Sequence, residues 1–336
     1  MTVRHHDGIH FHFDFEVDGG PRIVADARSA VGDTNIVSHA HADHTFRSAP
    51  ETVVCSPETA AIAEARTGTS FEFVDSTPEV ELVPAGHVVG SSAALIDGAD
   101  GRRYCYTGDF SIRDRCFLEG FDPHAIDADV LVMETTYGLP KYRFPSQEAL
   151  ETEIRDWMQD NDDRPLVLFG YSLGRAQKLQ WLAREATERE VLVSGSIRDV
   201  NRAIESATEL SFPAREFDAA GEDLDALTDE ILVVPSNQSR ADWTGRLVER
   251  TDALKAGFSG WAVDDSFLYR GGYDVTFPLT DHCDFDELLE TVRAIDPDRV
   301  YTTHGSDEAF ADVLETEYGY RARPLKRDQT TLEEFC

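Results

Sequence analysis

Residues 34–46 read TNIVSHAHADHTF, a short apolar run followed by three histidines and an aspartate within six positions. His39 and His41 alternate at the end of a predicted strand, so both side chains can point to the same side. Asp43 and His44 follow in the turn. Imidazole and carboxylate ligands together suit zinc, with manganese and iron as competitors. Four ligands this close together fit poorly around one tetrahedral ion, so the cluster predicts two neighbouring ions that need further ligands.

Three more candidate ligands lie at the ends of other predicted strands. His87 occurs in PAGHVVGSS, Asp109 in YCYTGDFS and His304 in VYTTHGS, each beside a glycine. A single histidine at a strand end usually caps the strand or faces solvent. These residues are therefore candidate ligands only because the cluster at residues 39–44 needs further ligands. A two-metal centre holds its ions roughly 3.5–4 Å apart and activates a bridging hydroxide. The sequence therefore predicts metal-dependent hydrolysis.

The charge of the chain is unusual. Its 336 residues carry a formal net charge of −33 with only four lysines, and 41% of the residues are hydrophobic. The acidic residues are spread over the whole length, whereas a local acidic tract would indicate an interaction tail. A uniform excess is typical of proteins from halophilic organisms, because the Debye length of roughly 3 Å at 1 M salt screens self-repulsion. The charge therefore does not exclude a nucleic-acid substrate.

Location follows from what the sequence lacks. No run is long and apolar enough for a transmembrane helix, and the start MTVRHHDGIH does not resemble a signal peptide. The five cysteines are scattered and form no C-x-x-C pair. We therefore expect a soluble, cytoplasmic protein with reduced thiols and no membrane partner.

The organisation of the chain changes twice. The first part alternates short apolar runs with turns and predicts strands, with one helix near SPETAAIAEART. Beyond Gly138, strands and helices alternate as in a parallel α/β unit. After about Tyr273 a strand, a helix and a last strand follow. We predict an α/β fold in which residues 141–270 form an inserted α/β domain between residues 1–140 and 271–336, the two parts of a sheet-based domain.

The motif HAHADH, followed in order by GHVVGS and YTGDFS, resembles the His-x-His-x-Asp-His signature of the metallo-β-lactamase fold, an αββα sandwich. The resemblance implies two zinc ions, with manganese as the alternative. It implies these ligands: His39, His41 and His87 for one ion, Asp43, His44 and His304 for the other, and Asp109 bridging both. Asp26 in VADAR matches an upstream aspartate of the family that supports the first cluster.

Four later motifs resemble the β-CASP nuclease branch of this fold: METTYG, GYSLGRAQKL, PLTDHCDFDEL and YTTHG, in the family's order. The insertion lies where this branch carries its β-CASP domain. The resemblance implies Asp43, Glu134 and His282 as catalytic residues. Glu134 would orient His282 as the general acid for the leaving oxygen. Thr280 and Cys283 depart from the serine and alanine usual in the branch, and neither change removes a ligand.

The segment GYSLGRAQKL also predicts a helix that begins after a glycine. Gly174 and Arg175 are candidate phosphate contacts, because a helix N-terminus offers backbone amides and a guanidinium binds phosphate. The alternative is that Gly174 simply allows tight packing of a strand against a helix.

The β-CASP resemblance implies a nucleic-acid substrate, and four hypotheses follow. The first is a phosphodiesterase of single-stranded RNA, similar to mRNA 3′-end processing factors and RNase J, with exonuclease and endonuclease modes open. The second is a DNA exonuclease of the ligase-associated repair type, which LTDHCDFDEL also resembles. A non-catalytic scaffold predicts eroded ligands, yet every ligand position is filled, and the insertion argues against a small-molecule hydrolase. Members of the branch commonly dimerise, so a homodimer is expected.

Overall fold

The computed structural model describes residues 2–13, 22–29, 31–48, 50, 52–221 and 223–326. The chain divides into two units, and the second interrupts the first in the sequence. Unit 1 takes its described residues from 1–113, 119–143 and 282–336. Unit 2 takes its described residues from 114–118 and 144–281.

Among the described residues, the first sheet of unit 1 has six strands in sequence order. They are β1 (Thr2–His6), β2 (Gly8–His12), β3 (Arg22–Ala25), β4 (Thr34–Ile36), β5 (Val53–Val54) and β6 (Phe73–Val74). Helix α1 (Pro57–Thr67) follows β5, as predicted. Its N-cap Ser56 accepts a hydrogen bond from the amide of Thr59 at 3.0 Å, and it ends at Gly68 in the left-handed conformation. Strand β4 ends at Ile36, so His39 and His41 lie in the loop that follows it and not on a strand, as their alternation had predicted.

Among the described residues, the second sheet of unit 1 has seven strands, and five of them come first in the chain. They are β7 (Ser76–Thr77), β8 (Val80–Pro84), β9 (Ser92–Asp97), β10 (Arg103–Tyr106) and β11 (Val130–Glu134). Strands β8, β9 and β10 pair antiparallel, whereas β10 and β11 pair parallel. Strand β11 is buried along its whole length, as expected for a parallel strand covered on both faces.

Unit 2 alternates helices and strands, as the sequence predicts. Its elements are α2 (Gln147–Asp160), β12 (Leu166–Gly170), α3 (Arg175–Ala186), β13 (Val191–Ser194), α4 (Gly195–Ala207), β14 (Arg215–Phe217), β15 (Ile231–Pro235), α5 (Asp242–Thr251), β16 (Leu254–Phe258), α6 (Ser266–Gly271) and β17 (Val275–Phe277). All strand pairs of this sheet are parallel, in the order β14-β13-β15-β12-β16-β17. Because β17 pairs with β16, unit 2 extends to Asp281 and does not end at residue 270.

The chain then completes unit 1 with α7 (Phe285–Ile295), β18 (Arg299–Thr303), α8 (Asp307–Tyr318) and β19 (Ala322–Pro324). Strand β18 pairs parallel with β11 and places Thr303 opposite Glu134. Helix α8 was not predicted, because five of its 12 positions are acidic and weaken the apolar periodicity. Phe310, Ala311 and Leu314 nevertheless bury one face of it.

The layers of unit 1 confirm the predicted αββα sandwich. Inner-face side chains of both sheets form one core, including Ile9, Phe11, Ile36, Ile96, Tyr106 and Val132. The outer face of the second sheet packs against α7 and α8 through residues such as Leu131, Met133, Leu288 and Phe310. Helix α1 covers the outer face of the first sheet, where Ala60 packs with Val53 and Cys55.

Two further sequence expectations concern membranes and thiols. Within the described part of the chain, no helix is long and apolar enough to cross a membrane. The described cysteines Cys55, Cys105, Cys116 and Cys283 form no disulfide. Burial raises the pKa of the Cys55 and Cys105 thiols to about 12, so both behave as apolar core groups.

Candidate metal centre and catalytic pair

The predicted ligands of unit 1 follow the carboxyl ends of its strands. Strands β8, β10, β11 and β18 run in the same direction, so the residues that follow them meet at one edge of the second sheet. The loop after β4 joins this edge, because the amide of Ser92 donates to the carbonyl of Ser38 at 2.8 Å. Side chains from both sheets therefore converge at one end of the sandwich.

Three histidines of the first predicted metal site converge closely. His39 Nε2 lies 2.9 Å from His41 Nδ1, which lies 3.2 Å from His87 Nε2. A tetrahedral zinc ion with Zn–N distances of about 2.0–2.1 Å places its nitrogen ligands about 3.3 Å apart. One ligand atom from each of these histidines and one from Asp109 lie within 4.8 Å of one another. The donor set and its spacing thus fit a zinc ion.

Asp109 occupies the position expected of a bridging carboxylate. Its Oδ2 lies 3.6 Å from His39 Nε2, 3.6 Å from His44 Nε2 and 3.7 Å from His87 Nε2. The preceding Gly108 has φ +56°, and a Cβ there would lie 2.6 Å from the side chain of Ser38. Glycine is therefore required for the turn that aims Asp109 at the histidines.

The second predicted set is more open. His44 Nε2 lies 4.0 Å from Asp43 Oδ2, and the ring centroids of His44 and His304 are 5.7 Å apart. The Asp43 side chain is 74% exposed. Among the described residues, the closest groups of ligand atoms include His44 but neither Asp43 nor His304. The structure thus places all seven predicted ligands in one region, with the first set much tighter than the second.

Asp26 organises the ligands through four contacts. Its Oδ1 accepts a hydrogen bond from the amide of Ser38 at 2.7 Å. Its Oδ2 accepts from the hydroxyls of Ser38 and Tyr106 at 2.6 and 2.7 Å and lies 2.8 Å from His44 Nδ1. A carboxylate on one ring nitrogen fixes the other for metal binding. Asp26 itself has φ +53°, a strained conformation outside glycine that the surrounding contacts hold in place.

Ser38 and Tyr106 also belong to this site, although the sequence did not predict them. Ser38 links Asp26 to the ligands, because its Oγ also lies 3.0 Å from His39 Nδ1. Tyr106 reaches Asp26 from the other sheet. Their only sequence signal is that Ser38 directly precedes HAHADH and Tyr106 opens YTGD.

The pKa values of His39 and His44 are shifted in opposite directions. Burial, together with the charges of His44 and other histidines, lowers the pKa of His39 well below its ordinary value, so this ring is neutral as a metal ligand must be. Burial also lowers the pKa of His44, but the carboxylates of Asp109 and Asp26 outweigh burial and raise it to about 10. Metal binding by His44 would therefore release a proton.

Glu134 and His282 form a buried pair next to the histidines. His282 Nδ1 lies 2.8 Å from Glu134 Oε1, and Glu134 Oε2 accepts from the amide of Thr136 at 2.8 Å. The ring centroids of His282 and His87 are 4.6 Å apart. Burial raises the pKa of Glu134, but the charge of His282 and hydrogen bonds from His282 and Thr136 outweigh it, so the pKa lies below its ordinary value. Glu134 is thus an ionised partner for the imidazole.

The two predicted phosphate contacts lie in unit 2, where α3 begins. Gly174 has φ +93°, and its amide donates to Gln177 Oε1 at 2.7 Å. Arg175 is only 2% exposed and donates to the carbonyl of Phe258 at 3.1 Å and to Asp281 Oδ2 at 2.9 Å. The guanidinium of Arg175 therefore has an internal role, and a phosphate contact at this turn stays a prediction.

Asp281 is the carboxylate of a buried ionic cluster in unit 2. It pairs with Arg175 and with Lys178, while buried Arg115 donates to the carbonyl of Thr280 at 3.0 Å. Burial and the charge of Arg115 lower the pKa of Lys178 to about 8, although Asp281 opposes this shift. Two buried basic side chains thus pair with the Asp281 carboxylate, and a third, Arg115, is held by the neighbouring carbonyl of Thr280.

Comparisons with known proteins show what this chain is similar to. A family model described as the Zn-dependent metallo-hydrolase RNA specificity domain matches residues 275–323. A probable DNA ligase of Opitutus terrae is 33% identical over 307 residues, which cover 88% of this chain and 29% of the relative. An RNase named aCSPSF2 from Saccharolobus solfataricus is 25% identical over 284 residues, which cover 72% of this chain and 56% of the relative.

The chain is a metallo-β-lactamase-fold protein of the β-CASP branch. A solved structure of a protein of unknown function from Enterococcus faecalis shares this fold, with a TM-score of 0.64 and 15% identity over 98% of both chains. The β-CASP chain spans less than a third of its Opitutus relative.

Proposed function

We propose that this β-CASP protein is a two-metal phosphodiesterase that hydrolyses nucleic acid. The observation that carries the proposal is the buried Glu134–His282 pair beside the histidine cluster, because ligand atoms of both residues lie within 4.8 Å of one another and of an Asp109 oxygen. A scaffold would need no buried carboxylate to orient an imidazole next to metal ligands. Phosphodiester hydrolysis needs such a pair, since the leaving oxygen must receive a proton.

The chemistry divides between the ions and the chain. Zinc ions, or manganese ions, held by the predicted ligands would polarise the phosphate and supply hydroxide. Glu134 holds His282 through Nδ1, so proton transfer to the leaving oxygen would use Nε2. Asp43 is proposed both as a ligand and as a catalytic carboxylate, because its side chain is exposed and its Oδ2 lies 4.0 Å from His44 Nε2.

For the substrate we place single-stranded DNA first and single-stranded RNA second. The match to a probable DNA ligase covers 88% of this chain at 33% identity, which supports DNA. RNA is the substrate that the sequence motifs favoured. It is supported by the RNA specificity domain matched at residues 275–323 and by the lower-identity match to an RNase. A homodimer and a halophilic source stay predictions.

One assay panel tests this proposal. End-labelled single-stranded DNA and RNA of matched sequence are incubated with the protein and zinc or manganese, at low salt and in molar KCl. We expect cleavage of DNA, with 5′ and 3′ labels distinguishing stepwise from internal cutting. Cleavage of RNA alone would reverse the substrate order. Failure to cleave either strand with metal bound would refute the nuclease and favour a scaffold.

Metal removal gives a separate prediction. We expect the protein to bind up to two zinc ions, and zinc at 100 times its dissociation constant to stabilise the fold by about 2.7 kcal/mol, which a chelator reverses. The substitution His39→Ala should abolish binding at the tighter site. Metal content by elemental analysis and thermal unfolding measure both effects. The control is His10→Ala, a buried histidine of β2 outside the ligand set, and equal metal content in both variants would contradict the assignment.

A further inference from the structure

A cavity of about 510 Å³ opens beside the candidate metal centre, entirely within unit 1. The residues that line it include Asp43, His44 and His304, which are the proposed ligands of the second ion. The volume lies within the range of about 300–1,000 Å³ that small-molecule sites occupy. A strand whose scissile phosphate lies at the metals could therefore place a neighbouring nucleotide here.

Two arginines, Arg28 and Arg47, also line the cavity. Their backbones are held together, because the amide of Arg47 donates to the carbonyl of Arg28 at 2.9 Å. Among the described residues, neither guanidinium forms an ion pair, whereas other exposed arginines such as Arg103 and Arg143 pair with carboxylates. In a chain of net charge −33, two exposed guanidinium groups that form no ion pair with a described carboxylate and line a cavity beside the candidate metal centre are available to bind an anionic ligand.

The acidic side chains that line the cavity, Asp7, Asp26 and Asp43, have other established or proposed partners. Asp7 accepts hydrogen bonds from the amides of Arg28 and Ser29 at 3.2 and 2.9 Å, so its charge faces the backbone. Asp26 is bound by Ser38, Tyr106 and His44, as described above. Asp43 is a proposed metal ligand. Within the described part of the chain, none of these carboxylates forms an ion pair with the guanidinium of Arg28 or Arg47.

We propose that Arg28 and Arg47 bind a phosphate group of the nucleic-acid strand adjacent to the scissile phosphate. Guanidinium groups donate paired hydrogen bonds that match phosphate oxygens. His5 also lines the cavity, and its ring centroid lies 6.0 Å from that of His304, so the site is continuous with the metal centre. The inference rests on the proposed function and assigns it a second phosphate position.

The test compares the double variant Arg28→Gln/Arg47→Gln with Arg102→Gln, an exposed arginine of unit 1 that does not line the cavity. Binding of a fluorescent single-stranded oligonucleotide is measured by anisotropy with a chelator present. Hydrolysis is measured on the same oligonucleotide and on bis(p-nitrophenyl) phosphate, which has no neighbouring phosphate. Oligonucleotides with a 5′-phosphate or a 5′-hydroxyl distinguish a terminal phosphate from an internal one.

We expect the double variant to bind the oligonucleotide roughly tenfold or more weakly. The salt dependence of binding should fall by about 0.7 in slope for each phosphate contact removed. Hydrolysis of the small diester should stay unchanged, and thermal unfolding should match that of the wild type. A larger loss with the 5′-phosphorylated strand would assign the site to a terminal phosphate, and equal losses would assign it to an internal one.

Equal binding by the double variant and Arg102→Gln would overturn the site while leaving the proposed function intact. If the wild type hydrolysed neither substrate, the proposed function would fail, yet the anisotropy measurement would still decide the phosphate site.

Discussion

Replacement of His282 by alanine is expected to lower kcat for nucleic-acid hydrolysis by about 10²–10⁴-fold while leaving bound metal unchanged. The reason is that the ring, held by buried Glu134 at 2.8 Å, is placed to protonate the leaving oxygen and lies outside the tight histidine set. Single-turnover rates together with metal content per chain measure the effect. His124→Ala, which removes an exposed histidine of unit 1, is the control and should retain full activity.

A second variant tests whether Glu134 positions His282 or binds a metal ion. Glu134→Gln keeps the shape of the side chain but removes the charge that holds His282, so kcat should fall while metal content persists. One group of close ligand atoms joins Asp109, Glu134 and His282, so a metal-ligand role is the competing explanation. Loss of metal from His282→Ala in proportion to its loss of activity would establish that role and refute the general acid.

The second large effect concerns stability. Asp281→Asn is expected to destabilise the protein by about 3–5 kcal/mol, because it leaves buried basic side chains without their carboxylate. Asp281 pairs with Arg175 and Lys178 in a cluster almost inaccessible to solvent. Urea unfolding at constant salt measures the change. The control is Asp225→Asn in the same unit, which breaks an exposed pair with Arg250 worth only about 0–1 kcal/mol.

Removing a positive charge from the Asp281 cluster should cost less stability than removing its carboxylate. Lys178→Met removes a positive charge that burial already disfavours, and Asp281 keeps its pairing with Arg175. We therefore expect a much smaller loss from Lys178→Met than from Asp281→Asn. Equal losses from the two variants would mean that packing, and not uncompensated charge, controls stability here.

Much of the fold was predictable because its signals are local. The alternation of strands and helices in unit 2, helix α1, and the placement of His39, His87 and Asp109 in loops that follow strands all depend on short patterns. The end of unit 2 was not predicted, because DVTFPL reads as a strand but nothing in it states which sheet it joins.

The sequence by itself determined which residue types stand ready as ligands and in what order the motifs occur. Only the tertiary structure decided which groups meet. Asp26 contacts Tyr106 across 80 positions and Glu134 contacts His282 across 148, whereas Arg175, a predicted phosphate contact, turns inward to Asp281. The physical reason is that hydrophobic spacing encodes local structure, while long-range polar contacts depend on how the packed sheets bring strand ends together.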